Sequence, residues 1–219
     1  MPFRRPRGCV LWLDFLEPSG SVAYDKSGYG NHGTIHGAQR VRSLGRWGLE
    51  FDGVDDYVEV PHSDELNAQE FTWEILVLSK EIETAVFMCK GKSLGDRVQI
   101  WRRSASPLWR AGIWVGGEAY LLGYDVERLN EWVRFAFTYD GGEGRLYVDG
   151  ELVDTFSAEL AIDYGTHPLY IGQPDYSWHP SGYNFSGCIA LVRIYNRALT
   201  PREVKANYAY FFSHLKGEV

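Results

Sequence analysis

The feature that most constrains this chain is a rhythm of short runs rich in β-branched and aromatic residues, each closed by Gly, Asp, Asn or Ser. "CVLWLDF", "GLEFD", "DYVEV", "FTWEILVLS", "AVFMCKG", "RVQIWRR", "AGIWV", "WVRFAFTYD", "RLYVDG", "ELVDTF", "PLYIG" and "CIALVRIY" follow one another in this way. Such spacing predicts antiparallel strands in a sandwich or barrel. Two joints carry hairpin chemistry. "FTYDGGEGRLYV" turns over Asp140-Gly-Gly-Glu-Gly, and "LYVDGELV" turns over Asp149-Gly150, where positive φ is easily supplied. One helix is predicted near the C-terminus, in "TPREVKANYAYFFSHL". Thr200 is its N-cap, Pro201 its first helical residue, and Glu203 completes a capping box.

No low-complexity linker or fixed-period repeat divides the 219 residues, so they read as one domain, with residues 1–8 a basic N-terminal arm holding Arg4, Arg5 and Arg7. Hydrophobic residues make up 45% and charged residues 23%, which suits a packed core rather than disorder. The net charge of −7 argues against nucleic acid as a partner, because binding it needs a clustered basic field. No run is long and apolar enough to cross a bilayer, and no apolar segment of a secretion signal follows the basic arm. Cys9, Cys89 and Cys188 lack zinc-site spacing and read as buried free thiols.

Period-two alternation sorts side chains between faces. Val133, Phe135, Phe137 and Tyr139 point to the core, as do Val98, Ile100, Ile113 and Val115. The outward set is Glu74, Gln99, Trp101, Trp114, Trp132 and Arg134. Flat rings beside a few polar groups suit a sugar, whose C–H faces stack on indoles while its hydroxyls meet charged or amide groups. The same rings would also suit a face lying beneath loops or a second layer.

"LGRWGLEFDGVDDYVEVPHSDELN", "FTWEILV", "EWVRFAFTYDGGEGRLYVDGELV", "PLYIG" and "FSGCIALVRIYNRALTPREVKANY" together resemble a laminin G-like domain of the concanavalin A-like lectin/glucanase superfamily. The resemblance runs from about Leu11 to Tyr208. It implies a concanavalin A-like jelly-roll β-sandwich of two antiparallel sheets, one of them concave, with a short C-terminal helix. It also implies that the loop "YDKSGYGNHGT" follows the first strand and that some relatives hold a structural calcium there. Asp25 and Asn31 match that loop, with carbonyls near Gly30 and Gly33 as further hard ligands. Two positions depart from the family pattern: Leu16 and Ala190 stand where relatives often carry acids. A plain chain reversal, in which Asp and Asn bond their own backbone, needs no metal. His32 has no second His or Cys at ligand spacing.

Glycosidases on this fold carry alternating carboxylates on one strand, and no such run is present. Glu50-x-Asp52 and Glu81-x-Glu83 are the nearest pairs, and "VQIW" places Trp101 where related lyases have His. The chain is therefore expected not to be an enzyme. The segment "GQPDYSWHPSGYNFSG" exceeds a hairpin loop and offers Tyr176, Trp178 and Tyr183 as stacking rings at the rim. Trp178 would equally serve as a plug over the core. "RRSASPLWRAG" offers Arg102, Arg103, Trp109 and Arg110, a set suited to an acidic sugar or to an ordinary basic hairpin tip. The expected activity is non-catalytic binding of an oligo- or polysaccharide through Glu74, Gln99, Trp101, Trp114, Arg134, Tyr176, Trp178 and Tyr183. The rival expectation is a structural or adhesion protein, such as a virion or cell-surface component, built into a homo-oligomer or larger assembly. The family resemblance points to an extracellular or virion-surface setting.

Overall fold

The computed structural model describes residues 5–91, 95–105, 108–125, 127–174 and 182–213. The strands are, in chain order, β1 (Cys9–Leu13), β2 (Val22–Ala23), β3 (Gly33–His36), β4 (Gln39–Ser43) and β5 (Arg46–Asp52). Then come β6 (Tyr57–Val60), β7 (Phe71–Ser79), β8 (Ala85–Gly91), β9 (Arg97–Arg102), β10 (Trp109–Val115) and β11 (Glu118–Tyr124). The last are β12 (Trp132–Tyr139), β13 (Glu143–Val148), β14 (Glu151–Ser157), β15 (Leu169–Ile171) and β16 (Ser186–Tyr195), followed by helix α1 (Pro201–Ser213).

They form two antiparallel sheets. Sheet I runs β14-β13-β12-β7-β16-β5-β4, with β1 also paired to β16, and sheet II runs β11-β10-β9-β8-β15-β6-β3-β2. The long strand β16 shifts register between Ile189 and Leu191. It pairs β5 before that irregularity, from Ser186 to Ile189, and β1 after it, from Val192 to Tyr195. One strand edge thereby serves two partners in turn.

The hairpin chemistry works as its residues require. At the β13–β14 turn Asp149 (φ 50°) and Gly150 (φ 83°) are both left-handed, the backbone that lets two twisted strands reverse in two residues. At the β12–β13 turn the Asp140 Oδ1 accepts from the amides of Gly142 (3.1 Å) and Glu143 (2.8 Å). The α1 capping box is also formed. The Glu203 amide donates to Thr200 Oγ1 (3.3 Å), and the Thr200 amide donates to Glu203 Oε2 (2.8 Å).

The core between the sheets is built on rings. Trp73 and Trp109 are wholly buried, and Trp109 stacks on Phe135 at 4.9 Å while Phe87 meets Phe185 edge-on at 5.2 Å. Val133, Phe135, Phe137, Tyr139, Val98, Ile100 and Ile113 all lie in this cluster, with Val115 packed at its edge, as alternation requires. The three cysteines are buried and none forms a disulfide. Among the described residues no helix is long and apolar enough to cross a membrane.

Candidate functional site

A sandwich has two outer faces, and the structure divides the six outward residues between them. Glu74, Trp132 and Arg134 stand on the outer face of sheet I, where they belong to strands β7 and β12. Gln99, Trp101 and Trp114 stand on the outer face of sheet II, on β9 and β10. The whole core separates the two sets, so the single sugar face expected from alternation does not exist.

The sheet I set is also sealed. Glu74 is 0% and Arg134 2% exposed, and Arg134 Nη2 lies 2.8 Å from Glu74 Oε1. Helix α1 closes over them. Asn207 Nδ2 donates to both Glu74 oxygens (3.1 and 3.3 Å), and Tyr195 Oη donates to Oε2 at 3.3 Å. Trp132 Nε1 donates to the Ser43 carbonyl, and Arg193 lies over the Trp12 ring at 4.2 Å. Burial, reinforced by the like charge of Arg134, lowers the Arg46 pKa to about 10 on this face. Glu74 and Arg134 hold the helix to the sheet, and a ligand in solution does not reach them.

The sheet II set is different. Trp101 and Trp114 meet at 5.1 Å between ring centroids, with planes inclined by 44°. The Trp101 indole leans over β10 at Gly112, where a Cβ would stand at an ordinary contact distance of 3.4 Å from Trp101 Cη2 but only 2.7 Å from Leu121 Cδ2 on the neighbouring strand. The Arg97 guanidinium sits 3.9 Å from the Trp114 ring centroid, and its burial lowers its pKa to about 10. Trp101 is 8% exposed, Gln99 is buried, and Trp114 is half-buried. Tyr183 is half-buried and packs with Trp114 against Val86, Cys89 and Trp101. Tyr176 and Trp178 lie outside the described residues.

Three rings on this face were not anticipated. His36 stacks on Tyr57 at 4.2 Å with an interplanar angle of 11°, and Tyr57 meets Tyr170 edge-on at 6.2 Å. All three are half-buried. The signal was available, because Val58, Val60, Leu169 and Ile171 belong to the core and alternation then turns Tyr57 and Tyr170 outward.

The loop at residues 24–34 resolves into one hydrogen-bond hub. Asp25 Oδ1 accepts from the amides of Trp12 (2.9 Å) and Ser27 (2.8 Å). Its Oδ2 accepts from Ser27 Oγ (2.6 Å) and from the amides of Gly30 and Asn31 (3.1 Å each). Asn31 Nδ2 donates to the Val10 carbonyl, which also lies 3.0 Å from Ser27 Oγ, and His32 Nδ1 accepts from the Asp25 amide. Five donors converge on one carboxylate, and a calcium ion needs the opposite, a shell of oxygens free to face it. Asp25 and Asn31 as arranged do not fit calcium. They fasten the loop to β1.

The "RRSASPLWRAG" segment does not offer its residues together. Trp109 is in the core, and Arg102, fully buried, covers it at 4.8 Å while donating to Ser79 Oγ and the Glu81 carbonyl. Arg103 is exposed and Arg110 half-buried. The one group of carboxylates close enough to share an ion, among the described residues, is Asp52, Asp55 and Asp56. Two of its oxygens are engaged in the β5–β6 turn. Asp52 Oδ1 accepts from the Val54 and Asp55 amides, and Asp56 Oδ2 accepts from the Asp52 amide. Burial raises the Asp56 pKa, the neighbouring acids adding to it.

Residues 52–205 match the Concanavalin A-like lectin/glucanases superfamily. No curated protein matches the chain in sequence. Among solved structures, domain 4 of AbnA, a GH43 extracellular arabinanase from Geobacillus stearothermophilus in complex with arabinotriose, superposes with a TM-score of 0.76 at 16% identity. That match covers 90% of this chain and 97% of the domain. The binding domain of Botulinum Neurotoxin DC in complex with SialylT gives 0.74 at 14% identity, over 93% of this chain and 52% of that one. Trypanosoma rangeli sialidase in complex with 2,3-difluorosialic acid gives 0.71 at 20% identity, over 93% of this chain and 33% of the enzyme. The chain thus spans about half of the toxin fragment and a third of the sialidase.

Proposed function

The chain belongs to the Concanavalin A-like lectin/glucanases superfamily, and on that premise we propose that it is a non-catalytic carbohydrate-binding module whose ligand face is the outer surface of sheet II. The observation that carries this reading is the Trp101–Trp114 pair, with Arg97 stacked on Trp114 and Gln99 alongside. An indole already stiffened by a neighbouring indole and a guanidinium loses little freedom when a sugar stacks on it. The charged and amide groups beside it supply hydrogen bonds for hydroxyls. Two of the structural neighbours were solved with oligosaccharide-type ligands, arabinotriose and SialylT, which supports the same class of partner.

The non-catalytic part of the reading rests on the carboxylates. Glu74 is locked by Arg134, Asn207 and Tyr195, and in the Asp52–Asp55–Asp56 turn Asp52 Oδ1 and Asp56 Oδ2 accept from backbone amides. Neither leaves an acid and a nucleophile facing one cleft.

A glycan array probed with the native chain and with Trp114→Ala tests the proposal. The native chain is expected to bind at least one glycan class, and the variant to lose about tenfold in affinity, or 1.4 kcal/mol, with an unchanged melting temperature. A native chain that binds no glycan overturns the proposal.

A role in protein contacts is favoured by one separate observation. Leu44 (66% exposed, φ 45°), in the β4–β5 turn, and Trp47 (53% exposed), near the start of β5, project at an edge of sheet I. Trp is a residue type that dominates protein interfaces. Light scattering of the native chain and of Trp47→Ser reads this out, a dimer lost in the variant being the supporting result and a monomer in both the opposing one.

A further inference from the structure

The rings of sheet II form a band across the strands. Thr34 on β3 is the Cα partner of Glu59 on β6, Glu59 of Tyr170 on β15, and Tyr170 of Cys89 on β8. Cys89 pairs with Gln99 on β9, Gln99 with Gly112 on β10, and Gly112 with Leu121 on β11. Directly paired residues point to the same side of a sheet. Residues two positions along a strand share that side too, which places His36, Tyr57, Trp101 and Trp114 on this face with Tyr170.

The band has a gap where β8 contributes only Val86 and Cys89. Tyr183 fills it from outside the sheet. The Val86 amide donates to the Tyr183 carbonyl (2.9 Å), and the Tyr183 ring packs on Val86, Cys89 and Trp101. His36, Tyr57, Tyr170, Tyr183, Trp101 and Trp114 thereby follow one another from β3 to β10. Five interstrand steps separate those strands in the sheet order, a span of roughly 24 Å at about 4.8 Å per step. Five of the six rings are half-buried, and only Trp101 is nearly covered.

We propose that this band is a continuous track for an extended, uncharged polysaccharide lying across the strands, with Tyr183 as the ring that joins its two halves. The inference rests on the carbohydrate-binding reading above and narrows it from a glycan to a chain. The span exceeds what a mono- or disaccharide covers, so a short ligand uses the indole pair and leaves His36, Tyr57 and Tyr170 unused. Tyr and His rings carry a polar edge beside an apolar face, which suits a ligand with C–H faces and hydroxyl edges. The charges fit a neutral chain. Glu59 stands at the tyrosine end and Arg97 and Arg110 at the tryptophan end, so the charge changes sign along the track and neither a polyanion nor a polycation meets a matching field over its whole length.

The test is affinity electrophoresis of the native chain in gels holding soluble arabinan, xylan, mixed-linkage β-glucan or glucomannan. Calorimetry then follows with oligosaccharides of the retained polymer, from the disaccharide to the hexasaccharide. Affinity is expected to climb with each added unit beyond the trisaccharide. Tyr57→Leu and Tyr170→Leu keep apolar bulk but remove the flat ring. Each is expected to lower hexasaccharide affinity about tenfold, equivalent to 1.4 kcal/mol, while leaving disaccharide affinity unchanged. His36→Ala, at the end of the band, is expected to act in the same sense and serves if a tyrosine variant melts early. A disaccharide that binds as tightly as the hexasaccharide, with all three variants neutral, overturns the track and leaves a site confined to the indole pair. A chain that neither polymer nor oligosaccharide engages overturns the track together with the carbohydrate reading.

Discussion

Replacing Glu74 by Gln separates the two outer faces of the sandwich by experiment. The carboxylate is fully buried, lies 2.8 Å from Arg134 and accepts from Asn207 and Tyr195. Gln keeps the shape and most hydrogen bonds but leaves a guanidinium that is 2% exposed without its counter-charge. Breaking a buried pair from one side costs about 3–5 kcal/mol, because the remaining charge stays desolvated. At about 2–4 °C per kcal/mol for a domain of this size, the melting temperature should fall by roughly 10 °C. Replacing both partners, Glu74→Leu with Arg134→Met, removes the uncompensated charge and should recover much of that loss. Glycan binding should be untouched in every variant, since the ring face lies across the core. Calorimetric unfolding paired with a binding isotherm reads both. A Glu74→Gln protein that loses less than about 1 kcal/mol, with weakened sugar binding, would refute the assignment of this pair to helix anchoring.

Asp25→Asn removes an acceptor shared by five donors and should cost at least about 3 kcal/mol in denaturant unfolding. Native protein treated with EDTA should melt at an unchanged temperature, whereas a drop would mean that an ion binds and stabilises by mass action. Thr200→Ala should cost about 1 kcal/mol by opening the α1 cap. Glu203 has its pKa lowered to about 2, by Arg197 first and then by the Thr200 bonds. Its contribution is present above its ordinary value of 4.5 and is lost as pH falls from there through about 2, so Glu203→Gln should matter at pH 7 and not at pH 2. Burial pushes the Cys9 thiol up to about 12 and raises Cys188 as well, so native thiols should resist a disulfide reagent at pH 8 and react only on unfolding. Prompt modification of folded protein would count against that burial.

Alternation was a sound guide to which side of a strand meets the core, and an unsound one to what lies outside. The period-two rule reports one bit per residue, inward or outward. A sandwich has one inside and two outsides, so Glu74 and Trp101 receive the same label although α1 covers one of them and the other stands on the opposite sheet. Four strands were also missed. β4, "QRVRS", and β11, "EAYLLGY", are edge strands with exposed residues in much of their length, and β2 and β3 flank the glycine-rich loop. An edge strand has a partner on only one flank, so its composition drifts toward that of a loop.

The covered face nonetheless had a trace in the chain. β16 is the neighbour of β7 in sheet I, and only residues 196–200 separate it from α1. A helix leaving a strand through so short a connection folds back over the sheet that holds that strand. Once "CIALVRIY" is paired with "FTWEILVLS", the helix must land on the side of Glu74 rather than of Trp101. Asn207 then falls on the Glu74 carboxylate and Val204 is buried in the cluster with Leu76 and Leu191. The sheet that carries the last strand is therefore committed to structure by its own continuation. The sheet that lacks such a continuation keeps most of its outer rings half-buried rather than sealed, and that asymmetry is what favours sheet II as the proposed ligand face.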